Sequence, residues 1–460
     1  MTDLPRRNFL KSAGTAAALG SIAAPHVYGQ SSKNELQVAL VGCGGRGTGA
    51  AGNALHVENA PMKLVAMADV FENRLEISLS ALKNEFLDTP EKIDVPEERQ
   101  HVGFDGFKQA LDHLNPGDIA VFATPLAFRG VHFQYAIDRG LHVFMEKPLI
   151  ADGPSAKRML ELAKKADEKN LKCAVGLMIR HCRGRQQLHQ RIQDGEIGDI
   201  IAMRAYRMQG MIGSAFSTPK PAEKKEVEWQ IERFHSFLWA SGGSFSDFYI
   251  HQIDETSWMK NAWPIKAHAV GGRHYHESPD GQPYVDQNFD SYSVEYTYPD
   301  GTKLFFDGRN MQGCYNEMSS VVHGTKGSAF VSKSGHSPRG VSSYSDQNQN
   351  RRQKIWEYDT PQLSPYDLEW ADFIDAIVND KPYNEVPRGV QASLVTSMGR
   401  MAAHTGQEIT YEQMANCPHE FAPGVADLSY DGPAPVTPDE NGRYAVPQPG
   451  IVKDQEYRQA

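Results

Sequence analysis

The stretch GGSFSDFYIHQID places Asp247, His251 and Asp254 four and three residues apart. In a helix that spacing brings all three side chains to one face. A carboxylate and an imidazole so placed can take a proton from a substrate hydroxyl and carry the resulting charge. The same spacing suits a polar stripe in water, but Phe245, Phe248, Ile250, Ile253 and Trp258 surround it and favour a partly buried pair. A second constellation lies upstream, where Gly42-Cys43-Gly44-Gly45-Arg46-Gly47 has the form G-x-G-x-x-G, after the apolar run LQVALVG and before a small-residue helix. There the first glycine permits a tight turn, the second lets backbone approach a pyrophosphate, and the third packs helix on strand. The helix N-terminus adds unpaired N–H groups for the phosphates. Asp69 ends the next apolar run, 22 residues past Gly47, where a carboxylate can accept hydrogen bonds from adenosine ribose hydroxyls. It would repel a 2′-phosphate, so NAD is the expected cofactor, with Arg46 and Arg74 near enough to keep NADP as the alternative.

These groups need a scaffold that ends several strands at one edge. The apolar runs at 36–42, 62–70, 118–125, 141–148 and 171–178 alternate with helical segments, the pattern of a parallel sheet covered on both faces. From about Gly198 the rhythm changes to GDIIAMRAYR, IKAHAVGGRHY and SYSVEYTYPDGTKLFFDGRNM, the last folding back at Pro299-Asp300-Gly301, as antiparallel hairpins do. The expected fold is therefore α/β: an N-terminal Rossmann, doubly wound parallel sheet over 36–178, then an α+β domain over 179–410 with an open, mainly antiparallel sheet. DLEWADFIDAIVN and GVQASLVTSMGRMAAHT have helical periodicity. Ser334–Asn350 reads as a loop, 209–230 as an insertion that could shape or cover the pocket, and 411–460 as a Pro-rich tail wrapping the surface or an adjoining subunit.

Of the 460 residues 40% are hydrophobic, and the formal charge is −10, which argues against nucleic acid or anionic lipid as partner. The five cysteines, at 43, 173, 182, 314 and 417, lack metal-ligand spacing, so neither zinc nor a disulfide framework is expected, and most are read as thiols buried in strands. No run is apolar enough to span a membrane.

Glu146-Lys147-Pro148 closes the strand after Thr124-Pro125. Together with VGCGGRG, His132, Gly140-Leu141-His142-Val143, Gly242-Gly243, Asp247 and His251, it makes the chain resemble the Gfo/Idh/MocA family of oxidoreductases over about residues 36 to 405. The resemblance implies that Thr124, Pro125, Glu146 and Lys147 border the cofactor with Gly42, Gly44, Gly45, Arg46, Gly47 and Asp69. It also implies a cis bond before Pro148, catalysis by Lys147, Asp247 and His251, a sugar or polyol as substrate, and a homodimer or homotetramer joined through the open sheet. His251 is expected as general base, Lys147 as the group that stabilises the alkoxide, and Asp247 as a group that orients His251 or binds a neighbouring hydroxyl. Lys147, Arg180, Tyr249 and His251 are the expected substrate ligands, with Arg180 and Arg185 equally readable as caps of surface structure.

Arg6-Arg7-Asn8-Phe9-Leu10-Lys11 ahead of a short Ala/Gly-rich run resembles a twin-arginine export signal over 1–30, and implies a folded, periplasmic or otherwise exported protein whose signal is cleaved. An exported dehydrogenase would need to hold its cofactor tightly and restore it within its own cycle. A second carbonyl substrate could do so; a redox-neutral glycosidase or epimerase acting by transient oxidation is the alternative, and intact Glu146-Lys147-Pro148 tilts toward oxidoreduction. A non-catalytic periplasmic binding protein is the third reading, against which the presence of both Lys147 and His251 counts.

Overall fold

β1 (Leu36–Val41) is buried on both faces and takes the centre of the first sheet. Around it lie β2 (Met62–Asp69), β3 (Gln100–Val102), β4 (Ile119–Phe122), β5 (His142–Met145) and β6 (Cys173–Val175), in the order β3-β2-β1-β4-β5-β6 with every pair parallel. The computed structural model describes residues 35–333, 335–336, 339–360 and 363–458, so the expected signal at 1–30 lies outside the described residues. The strand order reverses between β1 and β4, and the crevice outside the carboxyl ends of those strands is where such sheets bind ligands. Gly42, Asp69, Thr124 and Glu146 all stand at that edge because each follows or ends one of these strands.

The second sheet has nine strands: β7 (Ile200–Gln209), β8 (Lys266–Gly272), β9 (Ser291–Thr297), β10 (Lys303–Asn310), β11 (Glu317–Gly324), β12 (Ser328–Ser332), β13 (Ser342–Tyr344), β14 (Lys354–Glu357) and β15 (Ile409–Thr410), in the order β14-β13-β12-β11-β7-β10-β9-β8-β15. All of its pairs are antiparallel except β7 with β10. The hairpin expected at Pro299-Asp300-Gly301 joins β9 to β10, with Gly301 at φ +86°. One face is covered; on the other Ile201, Val270 and Phe305 are exposed. β13 lies inside the stretch read as a loop, where edge pairing with β12 and β14 overrides its polar composition.

The helix Gly243–Lys260 lies against the covered face, and Val386–Thr405 packs over it. Enclosed from both sides, it is buried from Gly243 to Met259 except at Asp247 and Trp258. Its acids must therefore be paired or face a cavity. Glu255 and Arg185 are both fully buried and 3.3 Å apart, so Arg185 serves the interior and caps no surface structure.

None of the five cysteines is in a disulfide. Only Cys173 lies in a strand; Cys43 and Cys182 are buried in connecting turns, Cys314 is exposed and Cys417 half-buried.

The tail wraps its own chain. Tyr430 donates to the Val70 carbonyl at 2.5 Å, and Glu456 is buried against Arg400, whose Nη2 and Nε reach its carboxylate at 2.7 and 2.9 Å. Arg400 also donates to Ser246 Oγ at 2.7 Å and to the Ala151 carbonyl at 2.8 Å, so the tail's carboxylate neutralises the cation that joins the start of the site helix to the loop after Pro148. Glu456→Ala leaves that guanidinium buried without its counter-charge. The expected loss is about 3–5 kcal/mol, read from urea unfolding of the variant against the parent.

Candidate active site

Gly42 has φ +94°, and a Cβ there would lie 2.7 Å from the Ala123 carbonyl carbon, so the turn admits only glycine. A Cβ on Gly47 would lie 1.9 Å from the Gly42 carbonyl oxygen, whereas one on Gly44 or Gly45 would meet nothing within 4 Å. The first and third motif glycines thus close the turn, and the middle two leave open space along a cleft of about 600 Å³. Gly44 caps the helix Gly45–His56 with no side-chain cap and no acid in the first turn, so the N–H groups of that turn are free for an anion. The residues fit a dinucleotide pyrophosphate.

Asp69 is 9% exposed and accepts from Cys43 N at 2.7 Å and Phe71 N at 2.9 Å. It thereby fixes the glycine turn as well as lining the cleft. Burial raises its carboxyl above the usual aspartate pKa, and the two backbone N–H groups and Arg74 oppose that rise. Both arginines weighed for a 2′-phosphate line the cleft, and Arg74 lies near enough to Asp69 to act on its carboxylate. Arg46 Nε meets Glu146 Oε1 at 2.5 Å and its guanidinium lies 4.7 Å from the Tyr366 ring centroid; Arg74 lies over Phe71.

At the other end, the Lys147–Pro148 bond is cis. Lys147 Nζ donates to the Asp247 carbonyl at 2.6 Å and to Asp247 Oδ1 at 3.3 Å. Asp247 Oδ2 lies 3.4 Å from His235 Nε2. Burial would raise the Asp247 carboxyl, but the Lys147 ammonium and His235 outweigh it and hold the group well below the usual range. Asp247 therefore bonds Lys147 and His235, and among the described residues it makes no hydrogen bond to His251. His251 is 5% exposed, lines the cleft, and its Nδ1 has no partner among the described residues. Burial first, then His336, Lys147 and Arg207, push its pKa far below the ordinary histidine value, so at neutral pH it is an uncharged base.

The cleft brings together Gly42, Gly44, Gly45, Arg46, Gly47, Asp69, Thr124, Pro125, Glu146, Lys147, Asp247 and His251. Two expected substrate ligands stand outside its lining. Arg180 makes a two-pronged bond to Asp254, at 2.9 and 2.7 Å. Tyr249 is wholly buried against Phe245, Tyr292 and Phe306, because a residue two on from Asp247 leaves a helix on the opposite side.

Sequence reasoning missed Arg207, His336 and Tyr366, which line the cleft together with His235. The insertion supplies Ser214, whose Oγ meets His235 Nδ1 at 3.1 Å, and so it buttresses the site. The one signal for Arg207 is its parity with Met203 and Ala205 along β7, which puts an arginine on the covered face. Among the described residues no group of three or more His, Cys, Asp or Glu could hold a metal ion, and no helix is long and apolar enough to cross a membrane.

Two family descriptions match the chain: "Oxidoreductase family, NAD-binding Rossmann fold" over residues 36–176 and "GFO/IDH/MocA C-terminal domain" over residues 185–330. The chain is 26% identical over 221 residues to scyllo-inositol 2-dehydrogenase (NAD(+)) of Bacillus subtilis (strain 168), an alignment covering 47% of this chain and 56% of that protein. It thus spans about half the length of that relative. Among solved structures, aldose-aldose oxidoreductase from Caulobacter crescentus complexed with glycerol superposes with a TM-score of 0.61 at 15% identity, over 82% of this chain and 100% of that one. The scyllo-inositol dehydrogenase of Lactobacillus casei with bound cofactor NAD(H) and scyllo-inositol gives 0.58 at 18%, over 82% and 99%. At such identities the likeness is one of fold.

Proposed function

The chain belongs to the GFO/IDH/MocA oxidoreductase family, and from that membership we propose that this NAD-binding oxidoreductase interconverts a secondary hydroxyl and a keto group of a sugar or polyol. The observation that carries the reading is the meeting, in one cleft, of the open glycine turn, the Lys147–Asp247 pair at 3.3 Å and an uncharged, buried His251. NAD, when bound, supplies the hydride acceptor. His251 takes the hydroxyl proton. Lys147 donates a hydrogen bond to the same oxygen as it gains negative charge, where a positioned donor in a site closed to water acts most strongly. Asp247 and His235 hold the ammonium in place through the bonds described above.

The arginine pair at the chain start supports export in the folded state, with NAD bound before transit. Outside the cytoplasm a released NADH has no assured route to reoxidation, so a closed cycle with a second carbonyl substrate is the economical form of the reaction. A second copy of the chain is the natural cover for Ile201, Val270 and Phe305 on the open sheet.

Acid release of nucleotide from the purified protein, with absorbance and fluorescence recorded before and after a panel of sugars, tests the central reading. NAD(H) that is reduced by one sugar and reoxidised by a second carbonyl compound is the expected result. Absence of nucleotide, together with no binding of added NAD or NADP, would leave a binding protein in its place.

A further inference from the structure

Arg207 is a charged residue on an otherwise apolar stripe. Along β7 it follows Met203 and Ala205 on the covered face, is 7% exposed and lines the cleft. Its Nε has no partner, and the one acceptor its guanidinium meets among the described residues is His336 Nε2, at 3.3 Å. The carboxylates at this end of the cleft are already held: Asp247 by Lys147 and His235, Glu146 by Arg46. Arg129, the other buried cation here, directs Nη1 to the Phe122 carbonyl at 3.0 Å. Arg207 is thus a nearly buried guanidinium facing the cleft with no carboxylate in contact among the described residues, Asp247 and Glu255 acting on it only at longer range. A neutral polyol would offer it hydroxyl acceptors but no counter-charge. A carboxylate would accept two parallel N–H bonds from it.

The neighbours fit the same ligand. A guanidinium only donates, so His336 Nε2 must accept, and Nδ1 carries the hydrogen toward Tyr366 Oη, 3.0 Å away. Tyr366 then has its own proton to give. Burial pushes its phenol up to about 12, so that proton stays in place at neutral pH. His336 also joins this corner to the base, its ring centroid lying 4.6 Å from that of His251. An anion at Arg207 is therefore one side chain removed from the proton acceptor.

We propose that the substrate is a sugar acid, an aldonate or uronate whose carboxylate lies against Arg207 and Tyr366 while a secondary hydroxyl of the same molecule lies at Lys147 and His251. The inference rests on the sugar or polyol reading above and narrows it to anionic members.

Calorimetric titration of the NAD-loaded protein with D-glucuronate, D-galacturonate and D-gluconate, each against its neutral counterpart D-glucose, D-galactose or D-sorbitol, tests this. At least one acid is expected to bind on the order of 10- to 10²-fold tighter than its neutral counterpart, the worth of hydrogen bonds to a charged group. Arg207→Met is expected to abolish that ratio. Arg207→Lys, which keeps the charge but loses the two-pronged geometry, is expected to retain part of it and controls for loss of fold. Neutral sugars binding as tightly as their acids, or a ratio unchanged in Arg207→Met, overturns the anionic assignment and leaves the oxidoreductase reading intact. Binding of no acid and no neutral compound sinks the sugar reading itself and this inference with it.

Discussion

His251→Ala is expected to lower turnover by about 10²- to 10⁴-fold, the usual worth of a positioned general base, while the protein keeps its full complement of NAD. The two readouts separate because His251 stands on the second sheet's helix, whereas the glycine turn and Asp69 stand on the first sheet. Single-turnover reduction of bound NAD, alongside nucleotide released per mole of protein, checks both. Loss of cofactor with unchanged turnover per loaded site would remove His251 from the chemistry. The pH dependence follows from the lowered pKa. A base works unprotonated, so the wild-type rate should stay flat down through pH 6.5 and fall only as pH drops through the depressed value; His251→Ala should lack that acid limb. The same shift bears on stability. Below about pH 6.5 the unfolded chain takes up a proton that folded His251 does not, so stability is present above that pH and is lost as pH falls toward the folded value. His132 and His336, both lowered to about 3 chiefly by burial, act in the same sense. The limb must therefore be measured within seconds of the pH jump, before acid unfolding overtakes it.

What could be read from the residues alone was whatever a short stretch of chain encodes by itself. The glycine turn needs its glycines for reasons internal to one strand-turn-helix unit, and the spacing of Asp247 and His251 is a property of one helix. Tyr249 was drawn into the expected site by its nearness to Asp247 in the chain, although helical geometry sends it into the aromatic cluster with Phe245 and Phe306. Arg180 was misplaced for a different reason. Its partner Asp254 lies 74 residues on, and no local pattern reveals that the third residue of the helical face is consumed by an ion pair. Arg207 stands in RAYR three residues from Arg204; strand alternation sends the two to opposite faces, but only the fold shows that the face of Arg207 meets the cleft. His336 sits in a run rich in Ser and Gly, a composition that signals a loop equally well whether the loop faces solvent or closes a site. Glu456 resembles any tail acid until the fold places Arg400 behind it.

Gly44→Val and Gly47→Ala should fail in different ways, and the difference tests what the middle of the glycine turn is for. Gly44 has φ −71° and ψ 177°, a conformation open to any residue, and a Cβ there meets no atom within 4 Å. The folded chain should therefore tolerate valine, with stability changed by no more than about 0.5 kcal/mol, as at unconstrained surface positions. The open space is where the pyrophosphate must approach the backbone. Filling it should weaken NAD binding by roughly 10²-fold, a loss of about 3 kcal/mol, or leave the purified protein without nucleotide. Gly47 is the reverse case. Inside a helix alanine normally gains about 0.5–1 kcal/mol over glycine, yet here its Cβ would fall 1.9 Å from the Gly42 carbonyl oxygen. The turn must open to admit it, at the roughly 1–3 kcal/mol of an overpacked core, so melting temperature and NAD affinity should drop together. Thermal unfolding of the apo forms, with NAD titrations of each, gives the four numbers. A Gly44→Val protein that binds NAD normally would mean the dinucleotide does not run over Gly44, whereas one that melts early would mean the open space is occupied in the folded chain. Only a stable protein that cannot hold NAD assigns the two middle glycines to the cofactor and the outer two to the turn.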